Sequence, residues 1–87
     1  MRYQVIIKPS AEKALDRLPR KNRTRIVAAL QDLQNDPRPA GCAKLSGTDE
    51  LWRIRVGAYR VVYEIDDDRL IVYVLRIAQR GDVYRAM

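Results

Sequence analysis

Residues Leu51 to Ile65 read LWRIRVGAYRVVYEI, two runs of β-branched, aromatic and basic side chains on either side of Gly57 and Ala58. Alternation of period two over this length predicts two half-buried strands. A two-residue connection with Gly at its first position predicts a type II′ turn, and that turn sets the register. Val56 then stands opposite Tyr59, Arg55 opposite Arg60, Ile54 opposite Val61 and Arg53 opposite Val62. Directly opposed residues share a face of the sheet. Trp52, Ile54, Val56, Tyr59, Val61 and Tyr63 therefore form one apolar face for helices to cover, and the other face receives Arg53, Arg55 and Arg60. Like charges placed opposite each other destabilise a strand pair by roughly 0.2 to 1 kcal/mol unless an anion lies between them. Guanidinium groups grip phosphate oxygens through paired hydrogen bonds and stay charged at every working pH, so a phosphate is one reason for such a cluster. The plain alternative is a set of solvated arginines, part-neutralised by Glu64 diagonal to Arg53. The hairpin alone leaves both readings open.

The rest of the chain supplies the elements that cover this hairpin. Tyr3 to Lys8 is rich in β-branched residues and is stopped by Pro9, which predicts a first strand. Ser10 is placed as the N-cap of a short helix with Ala11, Ala14, Leu15 and Leu18 on one stripe, ended by Pro19. A second helix from about Arg20 carries Ile26, Val27, Leu30 and Leu33 until Asn35, Asp36 and Pro37 break it. Pro37 to Glu50 is dense in Pro, Gly, Ser and Asp and reads as an irregular crossing loop, long enough to be a functional segment. A last strand from about Arg69 to Ile77 follows a turn at Asp66, Asp67 and Asp68. The expected architecture is α+β: an N-terminal strand, a helical hairpin, then a three-stranded antiparallel meander, with the helices packed on one face of a single sheet. At 87 residues the chain makes one domain spanning residues 1–87. The pairing of the first strand is left open.

Charge and absences narrow the chemistry. Lys and Arg number 17 against 11 Asp and Glu, a formal charge of +6, which favours an anionic partner such as nucleic acid, an acidic protein or a membrane surface. No basic amphipathic helix with large apolar residues stands out, which weakens the membrane option. The opening MRYQVIIKPS is read as a strand and not as a leader, and the single Cys42 suits a reducing cytoplasm. The chain has no histidine, so histidine acid–base catalysis and histidine-ligated metals are excluded. Catalysis has to use Arg, Lys, Tyr, Asp or Glu. Cys42 lacks a histidine to activate it and reads as a plain loop thiol. Asp66 to Asp68 read as a solvated hairpin tip and not as a cation site. Arg17, Arg20, Arg23 and Arg25 read as a solvated helix face that also offers contacts to nucleic-acid phosphates. In the tail, LRIAQRGDVYRAM, Arg80 follows the last strand beside a Gly and Tyr84 comes four residues later. A phenol among cations has its phenolate favoured, the condition for a general base without histidine; the plain reading of Tyr84 alone is a surface or packing aromatic.

Taken together, WRIRVGAYRVVYEI, the loop CAKLSG and the closing IAQRGDVY resemble the RelE branch of the RelE/ParE toxin superfamily, over nearly the whole chain. The resemblance implies a fold like that of small microbial ribonucleases. It implies a toxin of a type II toxin–antitoxin pair that cuts messenger RNA in the ribosomal A site with no metal or cofactor. A ribose 2′-hydroxyl attacks the adjacent phosphate, giving a cyclic phosphate or 3′-phosphate and a 5′-hydroxyl end. Carried onto this sequence, Arg53 and Arg55 fall where the branch often has lysines, as substrate and transition-state stabilisers. Arg60 matches the phosphate anchor, Arg80 the stabiliser or donor at the leaving 5′ oxygen, Tyr84 the general base, and Lys44 a loop residue that holds RNA. Arginine does not give up its proton, so the two departures from lysine shift proton transfer onto Tyr84. The implied partners are a cognate antitoxin that folds on binding, the ribosome and its mRNA, and operator DNA only through the antitoxin; no membrane is implied. Two alternatives belong to other classes. One is a ParE-like inhibitor of DNA gyrase, against which Arg60, Arg80 and Tyr84 argue, and the other is an inactive module that only binds RNA or antitoxin.

Overall fold

Pro9 ends the first strand and opens the first helix in one step. In the computed structural model, which describes residues 2–45 and 51–79, strand β1 spans Gln4–Ile7 and helix α1 spans Pro9–Asp16. Lys8 occupies the N-cap position, with no side-chain cap. Ser10 is thus inside the helix and not at its cap, a correction to the sequence-based placement. Proline is suited to the first helical turn, because its fixed φ is helical and its missing N–H has no partner to lose there. After α1 the chain turns through Pro19 into α2, Arg20–Leu33. Ile26, Leu30 and Leu33 of α2 are buried, whereas Val27 is 37% exposed. The core stripe of this helix is therefore narrower than the sequence pattern implied.

The remaining elements are β2 (Ala43–Lys44), β3 (Leu51–Val56), β4 (Tyr59–Asp66) and β5 (Ile71–Gln79). The short β2 lies inside the stretch expected to be irregular, where Ala43 and Lys44 pair antiparallel with Arg53 and Trp52. The strands form one five-stranded sheet in the order β1-β5-β4-β3-β2. Strand β1 pairs parallel with β5, Gln4 with Ile71 through Ile7 with Val74. Parallel neighbours need a crossover, and α1 and α2 stand between β1 and the later strands in the chain. Helix α1 lies against β5, and α2 against β1 and β3. Strand β5 begins and ends two residues later than expected, because residues 67–70 form the turn and Leu70 takes a left-handed φ of 57°. Asp66 caps this turn, its Oδ1 accepting from the backbone N–H groups of Asp68 and Arg69 at 3.1 Å each.

The core fills the space between the helices and one sheet face. Ala11, Leu15, Ile26, Leu30 and Leu33 meet Ile54, Val61, Tyr63, Val72, Val74 and Ile77. Tyr63 is fully buried, and its hydroxyl donates to the Pro37 carbonyl at 2.7 Å. That bond ties the loop after α2 to the middle of the sheet, and burial holds the phenol in its neutral form by pushing its pKa well up. Between β4 and β5 the register slips: Tyr63 faces Val74 but Val62 faces Arg76, leaving Leu75 as an extra residue. This β-bulge lets Val74 and Ile77, three apart in sequence, both reach the core.

Candidate functional site

The face of the sheet away from the helices gathers the arginines. Arg55 pairs with Arg60, and Arg53 with Val62, the register of a two-residue turn. Gly57 has a φ of 60°, as a type II′ turn requires at its first central position. Helix α2 holds this end of the hairpin from the other side. Asn22 Nδ2 donates to the Tyr59 hydroxyl at 3.3 Å, and Arg25 Nη1 comes within 3.0 Å of where a side chain on Gly57 would begin.

The bulge at Leu75 adds a fourth guanidinium. Arg76 is opposite Val62, which is itself opposite Arg53, so all three share a row on this face. Arg60 pairs with Arg55 on one side and Ala78 on the other. It is thus directly opposite Arg55 and diagonal to both Arg53 and Arg76, and diagonal neighbours lie about 7–8 Å apart, within reach of long side chains. Arg60 is only 7% exposed, the one buried charged residue of the described set. The Nε of Arg53 is buried and meets no hydrogen-bond acceptor among the described residues. Glu64 shares the face, yet among the described residues no carboxylate lies within ion-pairing distance of Arg53, Arg55 or Arg76. Two shallow hollows open beside the cluster. One is lined by Arg55, Gly57, Ala58, Tyr59 and Arg60, the other by Ala40, Gly41, Arg53, Ile54 and Arg55. Arg53, Arg55 and Arg60, permanently charged donors on neighbouring strands, can bind a phosphodiester and the additional negative charge of its transition state.

The expected site residues are distributed unevenly. Arg53, Arg55 and Arg60 come together. Lys44 does not join them: it pairs with Trp52, whose face of the sheet is the helix side, and its Nζ lies 5.4 Å from the Trp52 ring centroid. The Arg38 guanidinium lies over the same ring at 5.1 Å. Arg80 and Tyr84 lie outside the described residues. Arg76 was missed because strict alternation from Val72 and Val74 places it in the core. A charged residue at core parity, followed at once by Ile77, was the available signal for a bulge.

At the opposite end of the sheet, charges are matched. Arg38 donates to Asp67 through both terminal nitrogens, at 3.2 and 2.8 Å, and the Tyr3 hydroxyl donates to the same carboxylate at 2.6 Å. The Arg38 and Tyr3 hydrogen bonds lower the Asp67 pKa to about 2, while the same bond to Asp67 raises that of Tyr3. Asp67 is therefore a tether between the loop and the hairpin tip, and the expectation of a merely solvated tip is corrected for this residue.

Residues 5–84 match the family described as "ParE toxin of type II toxin-antitoxin system, parDE". Toxin RelG of Mycobacterium tuberculosis is 35% identical over 98% of this chain and 99% of its own length. Toxin RelE of the same organism is 37% identical over 95% of this chain and 87% of its own. Among solved structures, the archaeal RelE in the RelE–RelB complex from Pyrococcus horikoshii OT3 matches with a TM-score of 0.84 at 32% identity, covering 94% of this chain and 99% of that one. Sequence likeness over nearly its full length and the shared fold agree, and the chain belongs to the RelE/ParE superfamily of type II toxin–antitoxin toxins as a RelE-type member.

Proposed function

We propose that this RelE-type toxin is a ribosome-dependent, metal-independent endoribonuclease that cuts mRNA in the A site, inhibits translation in the cytoplasm and is neutralised by a cognate antitoxin. The observation that carries the reading is the arginine face, where Arg55 stands opposite Arg60 and neither Arg53 nor Arg55 has a carboxylate partner among the described residues. In the proposed reaction the 2′-oxygen forms a bond to phosphorus as its proton leaves to the phenolate of Tyr84, and the bond from phosphorus to the 5′ oxygen breaks, that oxygen taking a proton from water to leave as the 5′-hydroxyl. Negative charge builds on the non-bridging oxygens, where Arg53 and Arg55 donate hydrogen bonds and Arg60 anchors the phosphate. Arg80 stabilises the departing 5′ oxygen. Arginine keeps its proton, so the base has to be another group, and the resemblance to the RelE branch gives that role to Tyr84. Lys44 at the sheet edge adds a phosphate contact outside the reacting cluster. The solved relative from Pyrococcus horikoshii is a complex with RelB, which supports an antitoxin partner for this chain as well.

The test is to map translation-dependent mRNA cuts on programmed ribosomes with the native chain and with Tyr84→Phe. Cuts that need the ribosome and vanish in Tyr84→Phe are expected; full cutting by the variant would overturn the base assignment. The match to a family described as ParE favours a second reading, inhibition of DNA gyrase. Gyrase supercoiling in the presence of the chain is expected to be unchanged, and its loss without any mRNA cutting would replace the nuclease reading.

A further inference from the structure

Strand β1 covers only part of β5. Its last pair is Ile7 with Val74, the Lys8 N–H donates to the Val74 carbonyl at 2.9 Å, and Pro9 then turns the chain into α1. From Leu75 onward no strand of the described residues lies against the outer edge of β5, and a hollow opens between α1 and β5. Lys8, Ser10 and Arg76 line it together with the small side chains of Ala11 and Ala14. Neither Lys8 nor Arg76 has an ion-pair partner among the described residues. The bulge at Leu75 is what turns Arg76 onto the arginine face, so this residue belongs to the edge of the hollow and to the cluster around Arg60 at once.

We propose that Arg76 and Lys8 form a second phosphate subsite, which holds a backbone phosphate of single-stranded RNA next to the one gripped by Arg53, Arg55 and Arg60. The proposal rests on the reading that the arginine face binds RNA, and it extends that face into a track. Neighbouring strands are about 4.8 Å apart. A phosphate shared by Arg76 and Lys8, at the outer edge of β5, is therefore displaced by at least that distance from one held between β3 and β4. One phosphate cannot serve both positions well, whereas consecutive phosphates of an extended strand can. Arg76 supplies a planar fork and Lys8 a point charge, and neither reads base identity, so the subsite strengthens and orients binding without sequence preference. Arg76 is on this view a positioning residue for the strand.

The test uses the full chain and two non-cleavable probes, a 2′-O-methyl dinucleotide with one bridging phosphate and a 2′-O-methyl tetranucleotide with three. Arg76→Ala is expected to weaken the tetranucleotide by roughly tenfold and to lower the slope of log affinity against log salt by about 0.7. Dinucleotide binding should stay unchanged. Lys8→Ala should act in the same direction, and Arg76→Lys should recover part of the loss with the thermal melt of the native chain. On programmed ribosomes, Arg76→Ala should raise KM with kcat retained. The subsite is overturned if Arg76→Ala weakens both probes equally, if it changes neither, or if the native chain binds no probe. Probe binding in the expected pattern without mRNA cutting would sink the nuclease reading and leave the subsite standing.

Discussion

At the Gly57 end of β4, Arg55 stands opposite Arg60, and no carboxylate of the described residues pairs with Arg53, Arg55 or Arg76. At the Asp66 end of the same strand, Arg38 grips Asp67 with two hydrogen bonds and Tyr3 adds a third. One strand thus joins two kinds of charged site. Where opposite charges meet with good geometry, they tie a loop to a hairpin and need nothing further. Where like charges crowd a face, each adds repulsion that the rest of the fold must offset, and an arriving anion removes it. The difference separates charge that holds architecture from charge crowded on one face, which the proposed function assigns to a ligand, and it can be tested by treating the two ends alike.

The largest effect is expected at the crowded end. Arg55→Ala should reduce mRNA cleavage by about 10²- to 10³-fold, the usual consequence of removing a donor aimed at transition-state charge. It should leave thermal stability unchanged or raise it by something within about 0.2 to 1 kcal/mol, as a like-charge pair is relieved. A large fall in stability would break the comparison, because the arginine would then be architectural. Next in size is Tyr63→Phe, which leaves the buried Pro37 carbonyl without its donor and should cost about 1 to 3 kcal/mol in denaturant unfolding. The position of the cluster's own turn comes third. Gly57→Ala forces a side chain into a left-handed φ of 60° against Arg25, and should destabilise by about 1 kcal/mol.

The smallest effect is expected at the matched end, and pH is the way to read it. The folded-state pKa of Asp67 is lowered from 3.8 to about 2, so its contribution is fully present above 3.8 and is lost as pH falls through about 2. Asp67→Asn should flatten acid unfolding in that window, with only a small loss of stability near neutral pH and cleavage unaffected. An Asp67→Asn chain that keeps the native acid profile would show that the tether carries no stability.

Much of the site was legible because a two-residue turn leaves little freedom. Gly57 and Ala58 dictate that Arg55 meets Arg60, and the structure has that register. The helices were legible from periodicity, but the exposure of Val27 was not, since a stripe on one helix does not tell how wide the facing sheet is. Ser10 was misplaced as a cap because local propensity for serine competed with the backbone fit of Pro9, and the proline prevailed. Arg76 escaped because period two assumes an unbroken ladder, and one extra residue reverses every parity after it. Lys44 was grouped with the arginines by its likeness to a family loop, and only its pairing with Trp52 shows that it lies on the other side of the sheet.

The sequence by itself determined the hairpin, its register and the three guanidinium groups on one face, because these depend on neighbours within fifteen residues and on the geometry of one turn. It also determined that any proton transfer proceeds without histidine. The tertiary structure alone decided that β1 pairs parallel with β5, that Asp67 tethers Arg38 and Tyr3, and that a bulge brings Arg76 beside Arg60. Those contacts join residues far apart in the chain, and their geometry follows from how the helices fill one face of the sheet. No local pattern carries that information, because the free energy that selects them comes from packing the whole core at once.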